Sequence, residues 1–115
     1  MLKDDKWCFA CGSQNPHGLH MTDFDFDGET YTARWRPSRA HQGWAGILHG
    51  GIVAAVLDEV MTRLIWVQGY PVATVEMRVR YHRQTPLDQE LTARARQVSA
   101  RRRLFEVEGE LLLPD

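Results

Sequence analysis

HQGWAGILHGGIVAAVLDEVMTRLIWVQ, residues 41–68, reads as a polar, glycine-rich loop entering one long helix. Gly50-Gly51 stands where that helix should begin, and Ile52 to Leu57 are all apolar. A helix apolar on most sides is a buried one, so the rest of this short chain is expected to wrap around it. Gly69, followed by Tyr70-Pro71, ends it in the usual way. Two adjacent carboxylates, Asp58 and Glu59, interrupt the apolar run. A carboxylate on a core helix is costly unless it is paired or used.

Working outward, the flanking segments switch to period two. Upstream, His20–Phe26 and Glu29–Arg36 alternate around the turn signal Asp27-Gly28, which predicts a hairpin closed by Pro37. Downstream, Val75, Met77, Val79 and Tyr81 alternate with Thr74, Glu76, Arg78 and Arg80, a long half-buried strand. Leu91, Ala93 and Ala95 predict the next strand, Ser99–Arg103 a turn, and Phe105, Val107 and Leu111 a last strand. Rows of Arg and Glu on these two strands suit cross-strand pairing on an exposed face. The order is strand, strand, long helix, three strands. It predicts an α+β domain with an antiparallel curved sheet wrapped around one central helix.

The 115 residues make one domain, 1–115, with 43% hydrophobic and 25% charged residues and a net charge of −1. That charge balance gives no reason to expect nucleic acid. No apolar run reaches the roughly 18 residues that span a bilayer, so no membrane partner is expected. The N-terminal MLKDDKW carries acids where a signal peptide would be apolar. A cytoplasmic location follows as an expectation. Cys8 and Cys11 have C-x-x-C spacing and His17 and His20 follow, a set of residue types that zinc favours. Nothing helical separates the pairs, so the preferred reading leaves the thiols as small core residues, the histidines in solvent, and no metal.

The stretch GILHGGIVAAVLDEVM, the head C-F-A-C-G-x-x-N-P-x-G-L-x-M and the segment VATVEMRVRY together resemble hotdog-fold acyl-CoA thioesterases of the phenylacetate-pathway (PaaI-like) type. The likeness runs from about Cys8 to Pro114. It implies the hotdog fold, hydrolysis of acyl-CoA to free acid and CoA, and a dimer or dimer of dimers. Coenzyme A enters as part of the substrate, with no other cofactor. It also implies one more strand beyond GELLLPD, so that sheet edge is expected to be covered by a strand outside this sequence or by a partner.

Thioester hydrolysis needs backbone donors for the developing oxyanion and an activated water or a carboxylate nucleophile. Gly50 and Gly51 at a helix start offer unpaired N–H groups in a positive end-field. Asp58 lies eight residues beyond Gly50, about 12 Å along the axis, too far for one thioester carbon to touch both. The site is therefore expected to combine Gly50 of one copy with Asp58 of another. Glu59 has Arg63 four residues on, a favourable helical ion pair, whereas Asp58 has Thr62 and no cation. That leaves Asp58 as the base or nucleophile, and the resemblance places the catalytic acid at the same residue. It also gives Thr74 the role of positioning the attacking water, against the plain alternative of a β-branched strand residue.

His49 is read as bracing the loop or polarising the carbonyl. Gln42 or His41 is read as touching the thioester, although Gly43 stands where the resemblance implies an amide side chain. Arg101, Arg102, Arg103 and Arg83 could hold CoA phosphates, against a preferred reading as a solvated turn paired with Glu106 and Glu108. Trp44, Trp66 and Met61 could line an acyl pocket, though plain core is preferred. The rival readings are a non-catalytic hotdog module that binds acyl-CoA or a small aromatic ligand, and, more weakly, a dehydratase on the same fold.

Overall fold

The computed structural model describes residues 2–114. Strand β1 (Asp23–Phe26) and strand β2 (Thr30–Trp35) form the hairpin that opens the sheet. At its turn, Asp27 Oδ1 accepts from the amides of Thr30 at 2.7 Å and Glu29 at 2.8 Å, and Gly28 takes a φ of +98° that side chains avoid. Those amides, Thr30 first, hold the Asp27 carboxyl below its ordinary range. Helix α1 (Gly50–Trp66) follows a loop with a short 3₁₀ turn at Arg39–His41. Strand β3 (Leu91–Arg101) and strand β4 (Leu104–Leu112) complete an antiparallel sheet of order β1-β2-β3-β4.

The core lies between the helix and one face of the sheet. Register places Tyr31 against Ala95, Ala33 against Ala93 and Trp35 against Leu91, and all six side chains are buried. The alanines leave room for Val53, Val56, Leu57, Val60 and Leu64, which recur along one stripe of α1 and are buried too. Trp35 satisfies its indole N–H on the carbonyl of Leu19 at 2.8 Å. On the outer face, Arg94 pairs with Glu110 at 2.8 Å and Arg96 pairs with Glu108, as the alternating charges led one to expect. Gly69 ends the helix with φ +101°, its amide returning to Trp66 at 2.9 Å.

Three expectations need correction. The first concerns Thr74–Tyr81, which is extended but is not a strand. Its alternation holds only over Met77–Arg80, where Met77 and Val79 pack on the core while Arg78 and Arg80 are exposed; Val75 and Tyr81, expected on the same covered face, are exposed. A strand also needs a neighbouring edge to take its backbone donors and acceptors, and this segment pairs with no strand among the described residues. A cavity of about 870 Å³ is lined by Met77–Arg83 and by Val107–Leu113 along the unpaired side of β4, with Val53, Leu57 and Met61 behind. The second concerns β3, which does not turn at Ser99 but continues to Arg101. A register shift between Gln97 and Ser99 absorbs the break in alternation at Val98. The third concerns the helix, which is not covered on most sides. Its buried residues form one stripe, and Ile52, Ala54, Ala55 and Asp58 are only half-buried.

Candidate active site

His49 is the N-cap of α1, with φ −60° and ψ 132°. Its Nδ1 accepts the Gly51 amide at 2.9 Å. An acceptor at Nδ1 leaves the ring proton of the neutral form on Nε2. Gly51 was expected to offer a second free donor beside Gly50, and this capping bond removes it. The Gly50 amide has no acceptor among the described residues. It is one of the orphan donors at the positive end of the helix dipole. The Tyr81 hydroxyl donates to the Gly50 carbonyl at 2.6 Å and ties the extended segment to the helix start.

The loop that delivers this helix start is closed by its own hydrogen bonds. Gly43 N donates to Ile47 O at 2.8 Å, His49 N to His41 O at 2.9 Å, and Leu48 N to Thr85 O at 2.8 Å. Gln42 was a candidate for contacting substrate. Its amide oxygen instead accepts from Gly46 N at 3.1 Å, so the side chain braces the loop. His41 Nδ1 accepts from Ser38 N at 2.9 Å, and burial pushes its pKa below the ordinary histidine value. A cavity of about 600 Å³ opens at Gly50, lined by Gly43, Trp44, His49, Tyr81, His82 and Arg83 among others. Trp44 is 86% exposed there and Trp66 is exposed at the far end of α1, so neither is plain core.

Asp58 sits two turns down the helix on the wall of a different cavity, of about 470 Å³. The Thr74 hydroxyl donates to Asp58 Oδ1 at 2.5 Å and lies 3.4 Å from Thr62 Oγ1. Asp58 and Thr74 are thus brought together, on a wall they share with Met61, Ile65 and Phe105. The Gly50 and Asp58 cavities share no lining residue. Glu59, next along the chain, points elsewhere: Oε2 is 3.4 Å from Arg63 Nη1 and its side chain is only 12% exposed. Arg63 also donates Nε to the Tyr31 hydroxyl at 2.9 Å and stacks 3.8 Å over the Phe24 ring.

Arg101 and Arg102 lie at the exposed β3–β4 turn, and Arg103 lines the Asp58 cavity. The glutamates expected to neutralise them are taken, Glu106 by Ser99 Oγ at 3.0 Å and Glu108 by Arg96. Among the described residues these three arginines form no ion pair. Cys8 and Cys11 are half-buried under the head, while His17 and His20 are exposed. Sequence reading missed that Glu59 joins the two thiols, with Cys8 Sγ 3.8 Å from Glu59 Oε1. Burial first, then the Glu59 carboxylate and the Cys8 thiol, push the Cys11 thiol well above its usual value.

The profile of the Thioesterase superfamily matches residues 45–115, more than half of the chain, and the chain belongs to that family. No curated protein matches the sequence. Solved structures agree on the architecture. Thioesterase superfamily member 2 of zebra fish is 19% identical with a TM-score of 0.78, covering 90% of this chain and 78% of that one. A second thioesterase superfamily protein is 24% identical with a TM-score of 0.86, covering 94% of this chain. This chain spans 53% of that protein's length. A phenylacetic acid degradation-related protein from Ralstonia eutropha JMP134 is 22% identical with a TM-score of 0.67, covering 80% of this chain and 71% of its own. The shared arrangement, an antiparallel sheet with one helix laid against it, is the hotdog fold. Membership of the family points to a thioester as substrate. No helix among the described residues is long and apolar enough to cross a membrane.

Proposed function

We propose that this protein hydrolyses acyl-CoA thioesters to a free acid and CoA, in a site assembled from two copies of the chain. The observation that carries the reading is Asp58, a helix-borne carboxylate in no salt bridge among the described residues, held at a cavity wall by the Thr74 hydroxyl. The unaccepted Gly50 amide supplies the complementary part, a donor aimed at a carbonyl oxygen that gains charge. Their separation of eight residues along one helix, about 12 Å, favours sharing between subunits. The exposed Trp44, Val75 and Tyr81 are the kind of apolar surface that a second copy covers.

In this reading the thioester oxygen accepts from Gly50 N–H of one subunit. Asp58 Oδ2 of the other takes a proton from water as it attacks, or attacks the carbonyl carbon itself. Either route breaks the C–S bond, adds the elements of water, and releases R–COOH and CoA–SH. The Thr74 hydroxyl donates its hydrogen bond to Asp58, so its oxygen lone pair can accept a hydrogen bond from that water. Arg101, Arg102 and Arg103, free of glutamate partners, provide positive charge for the CoA phosphates.

The test is a panel of short, long and aromatic acyl-CoA esters with thiol detection, run with and without chelator. Thiol release by the wild type and none by Asp58→Asn supports the reading. A melting temperature raised by CoA esters with no thiol released replaces hydrolysis by simple binding. Isotopic oxygen from labelled water, followed in one turnover, identifies a nucleophile: label in the Asp58 carboxylate requires an anhydride opened at the Asp58 carbon, whereas a base acquires none.

A further inference from the structure

The N-terminal head holds a cluster that the hydrolytic reading does not use. The turn Cys8–Gly12 closes with Gly12 N donating to Cys8 O at 2.8 Å. Its chain runs so close to itself that a Cβ on Gly12 would lie 2.4 Å from Cys8 N, so the fold depends on glycine there. The head is anchored by Leu19 N to Phe9 O at 2.8 Å and Met21 N to Ala10 O at 2.9 Å. These bonds fix both thiols on the side facing α1. There they meet Glu59, and the two Sγ atoms and a Glu59 oxygen all lie within 4.8 Å of one another.

We propose that Cys8, Cys11 and Glu59 bind a thiophilic divalent cation with the chemistry of zinc, fastening the N-terminal head to α1. Three observations favour it. First, a tetrahedral ion with sulfur at about 2.3 Å and oxygen at about 2.1 Å sets those two ligands about 3.6 Å apart. Cys8 Sγ and Glu59 Oε1 are 3.8 Å apart before any ion draws them in. Second, Arg63 engages Oε2, which leaves Oε1 free to coordinate in monodentate fashion and fixes the carboxylate's orientation. Third, the charges close. Two thiolates and one carboxylate are balanced by Arg63 and a divalent ion, so the half-buried site becomes neutral. Each thiol gives its proton to solvent as its sulfur–metal bond forms. No further Cys, His, Asp or Glu joins the group among the described residues, so water takes the fourth position. The ion is structural: Glu59 lies away from the Asp58 cavity, and the proposal stands whether or not the chain hydrolyses acyl-CoA.

The test titrates Co²⁺ into reduced, chelator-treated protein. The expected result is saturation at one ion per chain, with a sulfur-to-cobalt charge-transfer band in the near ultraviolet and tetrahedral d–d bands in the visible. Zinc should displace the cobalt and raise the melting temperature. Cys8→Ser and Cys11→Ser should each weaken zinc binding by more than about 100-fold, and Glu59→Gln by about 10-fold or more, with circular dichroism checking that each variant folds. His17→Ala and His20→Ala should bind as the wild type does. The proposal is overturned if cobalt gives no charge-transfer band, or if the zinc-induced melting shift survives in the double cysteine variant. It is also overturned if the histidine variants abolish binding.

Discussion

Replacing Gly50 with proline deletes one hydrogen atom from the mouth of the helix. Gly50 is the first residue of α1, where proline's fixed φ suits the helix and its missing N–H has no helical partner to lose. The preceding residue, His49, already has ψ 132°, the extended value that a following proline demands. A Cβ at position 50 meets the Tyr81 ring at 3.5–3.6 Å, ordinary van der Waals contact. Gly50→Pro should therefore fold, and stiffening of the unfolded chain can stabilise it by about 0.4–1 kcal/mol. If the Gly50 amide stabilises the oxyanion, its loss costs about 2.7–4 kcal/mol of transition-state binding, a drop in kcat of about 10²- to 10³-fold. The assay is thiol release from the best acyl-CoA of the panel, beside a urea titration.

The same variant tests whether the site is shared. Mixed in equal amounts with Asp58→Asn and allowed to exchange subunits, it should recover about a quarter of wild-type activity, since half the dimers then carry one intact site of two. A Gly50→Pro enzyme with near-normal kcat would refute the oxyanion role. A mixture that stays inactive while its subunits demonstrably exchange would refute sharing.

The adjacent acids should part company: Asp58→Asn loses about 10²- to 10⁴-fold in rate with stability kept, as expected for a lost general base. In chelated protein Glu59→Gln keeps its rate but loses about 1–3 kcal/mol, because Arg63 is left half-buried without its anion, read as a lower urea midpoint. Gly12→Ala forces its new methyl group into the backbone of Cys8 and Lys6 and should cost at least about 2 kcal/mol, measured as a fall in melting temperature. Burial lowers the His41 pKa in the folded state, so the folded protein resists a proton that the unfolded chain accepts. The stability this gives is present above the ordinary value of 6.5 and is lost as pH falls through the lower folded value. Urea midpoints from pH 8 to 5 should fall for the wild type and fall less for His41→Gln.

Much of this architecture could be read before any coordinates. Tyr31, Ala33 and Trp35 alternate, Leu91, Ala93 and Ala95 answer them, and the sheet pairs these rows residue for residue. The helix was legible from its glycine start, apolar run and Gly69 stop. Thr74–Tyr81 was not, because period-two patterning reports which side faces a core and says nothing of whether an edge is available to pair. The bulge at Val98 was missed for a related reason, since a broken alternation looks the same as an ended strand. At the site, the Arg63 partner of Glu59 was visible four residues away. The Cys8–Glu59 contact bridges 51 residues and needed the fold to close. The Gly51 amide looked free until His49 turned its ring back to cap it.

The lone exposed indole at the helix mouth has a practical consequence. Trp7, Trp44 and Trp66 all lie in water, and only Trp35 is shielded. Ultraviolet-excited emission from a single folded chain should therefore have a red-shifted maximum, close to that of a denatured one. Anything that settles over Trp44, whether a twin subunit or a fatty tail, moves that peak to the blue, so a bench fluorimeter can follow the mouth of this protein closing in real time.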